Sequence, residues 1–163
     1  MFSQGGHANK TGNVLEQTVI AMLTAHGFQV VGYREYQRHP DAYGTELLLR
    51  NVPYKTLYGG RGYTEFLISS EARNLRLRVE CKWQQKAGSV DEKLPHTYLS
   101  CVEAMDDNDV IILIDGRGFR EGAVDWLRAA AKERKYIPES RSDKVIRVMN
   151  VTEFLTWCNE TFR

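Results

Sequence analysis

Two residues of opposite charge, Glu80 and Lys82, are separated by one position in the segment LRLRVECKWQQ, residues 75–85. The alternation of apolar and polar residues is typical of a β-strand, and it places both side chains on the same face. The same face carries three further polar side chains, those of Arg76, Arg78 and Gln84. This polar row indicates either a solvated strand surface or an active site, and the pair alone does not decide between them.

A second acid, Glu65, lies in the preceding segment TEFLISS, residues 64–70. The short polar connection EARN between the two segments predicts an antiparallel hairpin. A turn centred in that connection would place Glu65 opposite Glu80, where two like charges repel. A divalent cation would reverse this penalty, because Mg²⁺ prefers oxygen ligands and usually one or two carboxylates. A register shift of one residue would instead separate the two acids.

A third acid, Glu16, lies in a segment whose pattern predicts a helix over residues 13–26, with Asn13 as its N-cap. Glu16 falls inside the apolar arc of this helix rather than on its polar face. A carboxylate buried there needs a partner, which is either an arginine or a metal ion. Considered together with Glu65 and Glu80, the metal is the better interpretation. The apolar arc consists of Leu15, Val19, Ile20, Met22 and Leu23.

The remaining pattern predicts a helix, then a group of strands that ends in the hairpin, and then helices that alternate with strands. Strands are expected at 28–33, 45–52, 64–70, 75–83, 109–115 and 144–150, and helices at 13–26, 90–105, 121–135 and 151–162, with Gly27 ending the first helix. This order predicts an α/β fold, in which helices form layers on both sides of a central mixed β-sheet. We expect residues 1–11 to be a flexible N-terminus and residues 12–163 to form a single domain.

Composition limits the class of protein. The chain of 163 residues is 42% hydrophobic and 26% charged, as in soluble globular proteins, and its net charge of +1 leaves room for a local basic patch. Its three cysteines are far apart and match no zinc or disulfide pattern, which favours a reducing compartment. Without a membrane-spanning run or a signal-peptide core, the sequence predicts a cytoplasmic protein with no membrane partner.

The motifs GNVLE, YTEFL and VECKWQ resemble those of the PD-(D/E)xK nuclease superfamily. The segments GSVDEKLP and VIILIDGRGFREGAVDWL are similar to parts of its restriction-endonuclease-like members. The resemblance covers nearly the whole chain from Gly12 to the fifth strand. It implies a restriction-endonuclease-like αβα sandwich and a metal-dependent nuclease that hydrolyses phosphodiester bonds in DNA.

The resemblance assigns the metal site to the two strands of the predicted hairpin. Glu65 and Glu80 correspond to the two acids that bind Mg²⁺, for which Mn²⁺ would substitute. The main-chain carbonyl of Cys81 would be a further ligand. Lys82 corresponds to the lysine that positions the attacking water.

Two residues outside this metal site also match the family pattern. Glu16 corresponds to the helix glutamate that many members place beside the metal, often through a water molecule. Gln84 lies where some members carry a polar residue near the site. The catalytic set implied by the resemblance is therefore Glu16, Glu65, Glu80, Lys82 and Gln84.

One departure concerns the first acid of the motif, which is usually an aspartate that follows a proline. Here it is Glu65, which follows Thr64. The chain also contains a literal Pro40–Asp41 pair, but its surroundings, RHPDAYG, are typical of a turn. The glycine turn and a whole predicted strand separate Asp41 from Glu80. We therefore expect Asp41 to lie outside the site.

Several positions in predicted turns and loops are candidates for DNA contacts. They are Arg61 in GGRG, Lys93 and His96 in GSVDEKLPHTY, and Arg117 and Arg120 in DGRGFREG, close to a helix N-terminus that would attract phosphate. Each also fits an ordinary turn or a solvated loop. Three functions remain open: a DNA endonuclease, a structure-specific nuclease of the repair, recombination or phage type, and a silent DNA-binding or protein-interaction subunit. The small size favours a homodimer or a larger nuclease complex.

Overall fold

Six strands and five helices make up the part of the chain that the structure, a computed structural model, describes: the backbone of residues 5–163 and the side chains of residues 14–163. The helices are α1 (Gly5–Ala25), α2 (Tyr33–Arg38), α3 (Lys93–Leu99), α4 (Glu121–Lys132) and α5 (Val151–Thr161). The strands are β1 (Gln29–Gly32), β2 (Glu46–Lys55), β3 (Arg61–Ser70), β4 (Leu75–Trp83), β5 (Asp109–Asp115) and β6 (Val145–Met149).

The six strands form one mixed sheet in the order β1–β2–β3–β4–β5–β6. The pairs β2–β3 and β3–β4 are antiparallel, and the pairs β1–β2, β4–β5 and β5–β6 are parallel. The parallel pairs need crossover connections, which place helices on both faces of the sheet. The predicted α/β sandwich around a mixed sheet is therefore confirmed.

Two hydrophobic layers hold the sheet between the helices. On one face, α1 and α5 pack on the middle strands through Leu15, Val19, Leu23, Phe154, Cys158, Phe66, Ile68, Leu77, Val79, Ile111 and Leu113. On the other face, α3 and α4 pack on β5 and β6 through Leu94, Tyr98, Leu127, Ala130, Val110, Ile112, Ile114 and Ile146. A smaller cluster lies beneath α2. Burying these side chains contributes most of the stability.

The β3–β4 hairpin has the register that its turn predicts. Ser70 lies opposite Leu75, and Phe66 lies opposite Val79. The ladder between the two strands ends at this second pair, although β4 continues to pair with β5 as far as Trp83. A gap between β3 and β4 therefore opens just where the acidic residues begin.

The neighbouring strand β2 also changes at this level. Asn51 has a positive φ of 54°, a left-handed conformation that interrupts the regular strand. Val52 packs in the same cluster as Leu47 and Leu49, so the alternation of the strand shifts by one residue at Asn51. Thr64, which pairs with Val52, follows this shift. Its hydroxyl consequently faces the row of polar side chains on β4.

Several predicted boundaries differ from the structure. Helix α1 begins at Gly5, so Asn13 is not its N-cap, and residues 1–4 of the predicted flexible N-terminus lie outside the described residues. The sequence pattern missed α2, a short helix with mostly polar residues. Helix α3 begins at Lys93, which leaves Pro95 in the first turn, where its missing N–H costs little. Beyond α3 the chain continues in a π-helical turn, Ser100–Ala104.

None of the helices in the described residues is long and apolar enough to span a bilayer. Cys81, Cys101 and Cys158 are free thiols. Helix α5 begins with a capping box, in which Asn150 and Glu153 each accept a hydrogen bond from the backbone N–H of the other.

Candidate active site

The structure brings together three of the predicted site residues at the gap between β3 and β4. Lys82 Nζ donates a hydrogen bond to Glu80 Oε1 at 2.6 Å. The backbone N–H of Cys81, which has no β3 partner in the ladder, donates to Glu65 Oε2 at 2.8 Å. Glu80 is 6% exposed, and Glu65 and Lys82 are partly buried. Two acids and a lysine therefore share one secluded site.

The charges of these groups influence one another strongly. Burial and the negative charge of Glu80 raise the pKa of Glu65 to about 7, although the Cys81 N–H and Lys82 oppose the shift. Burial lowers the pKa of Lys82, but the charge of Glu80 and its hydrogen bond outweigh burial and raise that pKa above its ordinary value. Lys82 is therefore an ammonium group, and the two acids repel each other.

One carboxylate oxygen of this site has no hydrogen-bond partner among the described residues. Glu80 Oε2 is buried and accepts no hydrogen bond from the described residues. A buried acceptor left in this state costs free energy, more so when it belongs to a charged group. A cation bound between Glu80 and Glu65 would satisfy the oxygen and neutralise the repulsion. The donor set is all oxygen, which suits Mg²⁺ and similar hard ions.

Glu16 approaches β4 from the α1 side of the sheet. Helix α1 packs against β4, and the side chain of Cys81 points into the layer between them. Burial raises the pKa of the Cys81 thiol well above its usual range, and the charges of Glu65, Glu80 and Glu16 contribute to the shift. Among the described side chains, however, no group of three or more His, Cys, Asp or Glu residues is arranged to hold a metal ion.

Gln84 fastens the turn after β5 to the end of β4. The side-chain Nε2 of Gln84 donates to the carbonyl of Gly118 at 2.9 Å, and the main-chain carbonyl of Gln84 accepts from the Gly118 N–H at 2.8 Å. A Cβ on Gly116, whose φ is +105°, would lie only 2.1 Å from the Gln84 carbonyl oxygen. Gln84 Oε1 is buried without a hydrogen-bond partner among the described residues.

Tyr54 is a site residue that the sequence did not indicate. Burial raises the pKa of its hydroxyl, the charge of Glu80 raises it further, and Lys82 opposes the shift. The ring lies across Gly62 on β3, where a Cβ would be 2.8 Å from Cζ of Tyr54. The predicted strand ended at residue 52, whereas β2 continues through Pro53 to Lys55. The alternation of VPYK could have revealed this continuation.

The rest of the polar row belongs to a structural network rather than to solvent. The buried guanidinium of Arg78 donates to the carboxylate of Asp107, to Thr64 Oγ1 at 2.9 Å and to the carbonyls of Val52 and Pro53. Burial alone would raise the pKa of Asp107, but Arg78 and Arg76 hold it below its usual range.

A buried lysine extends this network on the far side of Asp107. Lys144 is fully buried, and its Nζ donates to the carbonyls of Met105 and Asp107 at 2.6 and 2.7 Å. Burial and the nearby charge of Arg141 lower the pKa of Lys144 to about 8.

The five candidate DNA-binding residues are exposed at one end of the sheet, where β3 begins and β4 and β5 end: Arg61, Lys93, His96, Arg117 and Arg120. Arg120 lies before α4, and its Nε is 3.5 Å from Asp91 Oδ2. Asp41 is exposed in a 3-10 turn that precedes β2, at the opposite end of the sheet. The literal Pro–Asp pair is therefore remote from Glu80.

The fold and the paired acids define a nuclease class, and comparison with known families agrees. A model of the PD-(D/E)XK nuclease superfamily domain matches residues 7–162. The chain belongs to the PD-(D/E)XK nuclease superfamily. Comparisons with curated proteins and with solved structures gave no match. The predicted family is confirmed, and it indicates nuclease activity.

Proposed function

We propose that the protein is a metal-dependent DNA endonuclease whose active site is formed by Glu65, Glu80 and Lys82. The observation that carries this proposal is the buried Oε2 of Glu80, which has no hydrogen-bond partner among the described residues and lies beside a second acid, Glu65, whose pKa is raised to about 7 by burial and by the charge of Glu80. Glu46 Oε2 and Asp91 Oδ2 are also buried without a hydrogen bond among the described residues, but each lies in an ion pair with an arginine, at 3.7 and 3.5 Å, whereas Glu80 Oε2 lies beside a second acid. A site that must receive a cation accounts for the Glu80 oxygen.

The ligands in this proposal are the carboxylates of Glu65 and Glu80 and the main-chain carbonyl of Cys81. In a β-strand the N–H and C=O of one residue point to the same side. Because the Cys81 N–H bonds to Glu65, its carbonyl is directed toward the same gap. Glu16, on the α1 side, would take part through a water molecule. Bound Mg²⁺, or Mn²⁺ in its place, would polarise a phosphoryl oxygen and lower the pKa of a bound water.

Lys82 has two roles in the proposed reaction. As the ammonium partner of Glu80, it donates hydrogen bonds to the attacking water and orients the water toward the phosphorus. The same positive charge stabilises the negative charge that develops on the phosphoryl oxygens in the transition state. The seclusion of Glu80 strengthens both effects, because charges interact more strongly away from water.

DNA would lie across the end of the sheet that carries Arg61, Lys93, His96, Arg117 and Arg120. The cationic side chains among them, those of Lys93 and the three arginines, would bind backbone phosphates and fix the position of the duplex without reading its sequence. A single site per subunit cuts one strand, so cleavage of both strands would need a homodimer or a larger nuclease complex. Gln84 would support this surface by holding the β5–α4 turn in place.

A cleavage assay tests the proposal. Purified protein is incubated with supercoiled, linear, single-stranded and branched DNA in Mg²⁺, Mn²⁺ or EDTA. We expect cleavage in either metal, none in EDTA, and a loss of about 10²–10³-fold in Lys82→Ala. Lys132→Ala, at an exposed lysine in the last turn of α4, is the matched control. Activity that survives both EDTA and Lys82→Ala contradicts the mechanism, and DNA binding without any cleavage identifies a silent subunit.

A further inference from the structure

Tyr58 is an exposed aromatic residue at the tip of the β2–β3 hairpin. It is 90% exposed, more than the other large hydrophobic side chains of the described residues. The turn that carries it is closed by hydrogen bonds from the Thr56 N–H to the Gly60 carbonyl and from the Gly59 N–H to the Thr56 carbonyl. A ring presented by a well-formed turn contributes little to folding, since it buries little surface.

A second ring meets Tyr58 at the surface. The ring of His96, on α3, lies 6.1 Å from that of Tyr58, with an angle of 43° between their planes. His96 is also exposed. Two separate elements therefore contribute one aromatic ring each to the same exposed position, and both rings keep free surface for a third planar group.

This pair of rings lies next to the proposed active site. The strand β2 that leads to Tyr58 carries Tyr54 past Glu80, and the strand β3 that leaves the turn carries Glu65. The four residue-to-residue steps along β3 from Arg61 to Glu65 span about 13 Å. At a stacked spacing of about 3.4 Å, this length corresponds to roughly four nucleotides. A nucleic-acid strand a few nucleotides long that is bound at the active site would therefore also reach the rings of Tyr58 and His96.

The charges around the rings suit a phosphate backbone. Lys55 and Arg61 pair across the hairpin just below the turn, and Lys93 begins α3 one turn before His96. All three are exposed, and the tip between Lys55 and Arg61 contains no acid. Glu92, which precedes Lys93, is an exposed acid on this surface. The balance of charge at the hairpin tip is positive.

We propose that Tyr58 and His96 form a stacking platform for an unpaired nucleobase, so that the substrate contains a single-stranded segment beside the cleaved bond. Bases within a duplex cover each other's faces, whereas an unpaired base offers its face to an aromatic ring. The placement beside a cleaved bond rests on the proposed nuclease function. Cationic side chains that follow the backbone and aromatic rings that stack on bases are the two components of single-strand binding sites.

The test measures binding separately from cleavage. Fluorescence anisotropy in EDTA gives the affinity of the full chain for labelled poly(dT) and for a duplex of equal length. Tyr58→Ala is expected to weaken poly(dT) binding by about 5- to 150-fold, the usual effect of one lost stacking contact. Tyr58→Phe keeps the ring and is expected to bind as the wild type does. Binding to the duplex is expected to change little in either variant.

Tyr136→Ala is the matched control, because Tyr136 is also exposed, at 58%, but lies after α4. Equal losses in Tyr58→Ala and Tyr136→Ala, equal losses for poly(dT) and duplex, or no poly(dT) binding by the wild type would each overturn the platform. Normal cleavage in metal with unchanged poly(dT) affinity in Tyr58→Ala overturns the platform alone. Tyr58-dependent binding without any cleavage supports the platform while contradicting the nuclease.

Discussion

Arg78 and Glu80 lie two residues apart on the same face of β4, and each is 6% exposed, yet their surroundings differ. The guanidinium of Arg78 bonds to a carboxylate, a hydroxyl and two backbone carbonyls. Glu80 bonds to Lys82 and leaves one buried oxygen without a partner among the described residues. The guanidinium of Arg78 is therefore hydrogen-bonded through each of its nitrogen atoms, whereas Glu80 retains one oxygen that would bind the proposed cation.

The two regions also differ in how their charges balance. Asp107 accepts from both Arg76 and Arg78, so opposite charges are matched around it. At the other region, two acids share one lysine, and burial together with the charge of Glu80 raises the pKa of Glu65 to about 7. We therefore expect substitutions in the Arg78 region to change stability, and substitutions in the Glu80 region to change metal binding and cleavage.

The largest effect is expected from Asp107→Asn. This change leaves the buried guanidinium of Arg78 without its carboxylate, and breaking a buried pair in this way costs about 3–5 kcal/mol of unfolding free energy. Urea denaturation measures the loss. Asp106→Asn, at the exposed neighbouring position, is expected to change stability little. If Asp107→Asn instead kept full stability and abolished cleavage, the comparison between the two regions would be wrong.

A smaller effect is expected when a divalent cation is added. A cation that binds only the folded state raises the unfolding free energy by about 2.7 kcal/mol when the concentration of free Mg²⁺ or Mn²⁺ is about one hundred times its Kd. Thermal unfolding with metal and with EDTA measures the gain. We expect Glu80→Gln to lose the gain and Glu71→Gln, an exposed acid in the hairpin turn, to keep it. An equal gain in both variants would place the metal elsewhere.

The smallest effect concerns pH in the absence of metal. The pKa of Glu65 is about 7 in the folded protein against an ordinary value of 4.5, so the folded state holds more protons between these values. The unfolding free energy should therefore fall as pH rises from about 4.5 to 7, by on the order of 2 kcal/mol. The stabilisation that the protonated Glu65 contributes is complete below about pH 4.5 and is lost above about pH 7.

Glu65→Gln removes this titration while keeping an acceptor for the Cys81 N–H. In EDTA we expect the variant to be more stable than the wild type at pH 8, and the difference to vanish near pH 4.5. Urea denaturation across this range measures the difference. Stability curves that run parallel at all pH values would show that folding does not raise the pKa of Glu65.

The sequence predicted the parts of the site that depend on local pattern. Alternation placed Glu80 and Lys82 on one face, and the length of the turn set the register that brings Glu65 beside them. These features follow from a period of two and a short connection. The predicted roles of Glu16 and Gln84 remain predictions, although the structure locates one beside Cys81 and the other against Gly118.

The sequence could not predict features that depend on distant residues. The positive φ of Asn51 shifts the alternation of β2 and turns Thr64 toward Arg78, and no local pattern signals it. Lys144 and Asp107 are far apart in sequence, so their buried contact is visible only in the folded chain. The alternation of polar and apolar residues did not distinguish the buried Arg78 from an exposed residue of the polar row, because a sequence pattern does not show what covers a strand face.

The contact between Gln84 and the turn after β5 limits how the proposed DNA-binding surface can be altered. A Cβ on Gly118 would lie 2.5 Å from the backbone oxygen of Lys86, and one on Gly116 would meet the Gln84 carbonyl. Any larger residue at either glycine would push the turn away from β4. Changes to the DNA contacts proposed for this side are therefore best made at the exposed side chains of Arg117 and Arg120, of which Arg120 forms an ion pair with Asp91.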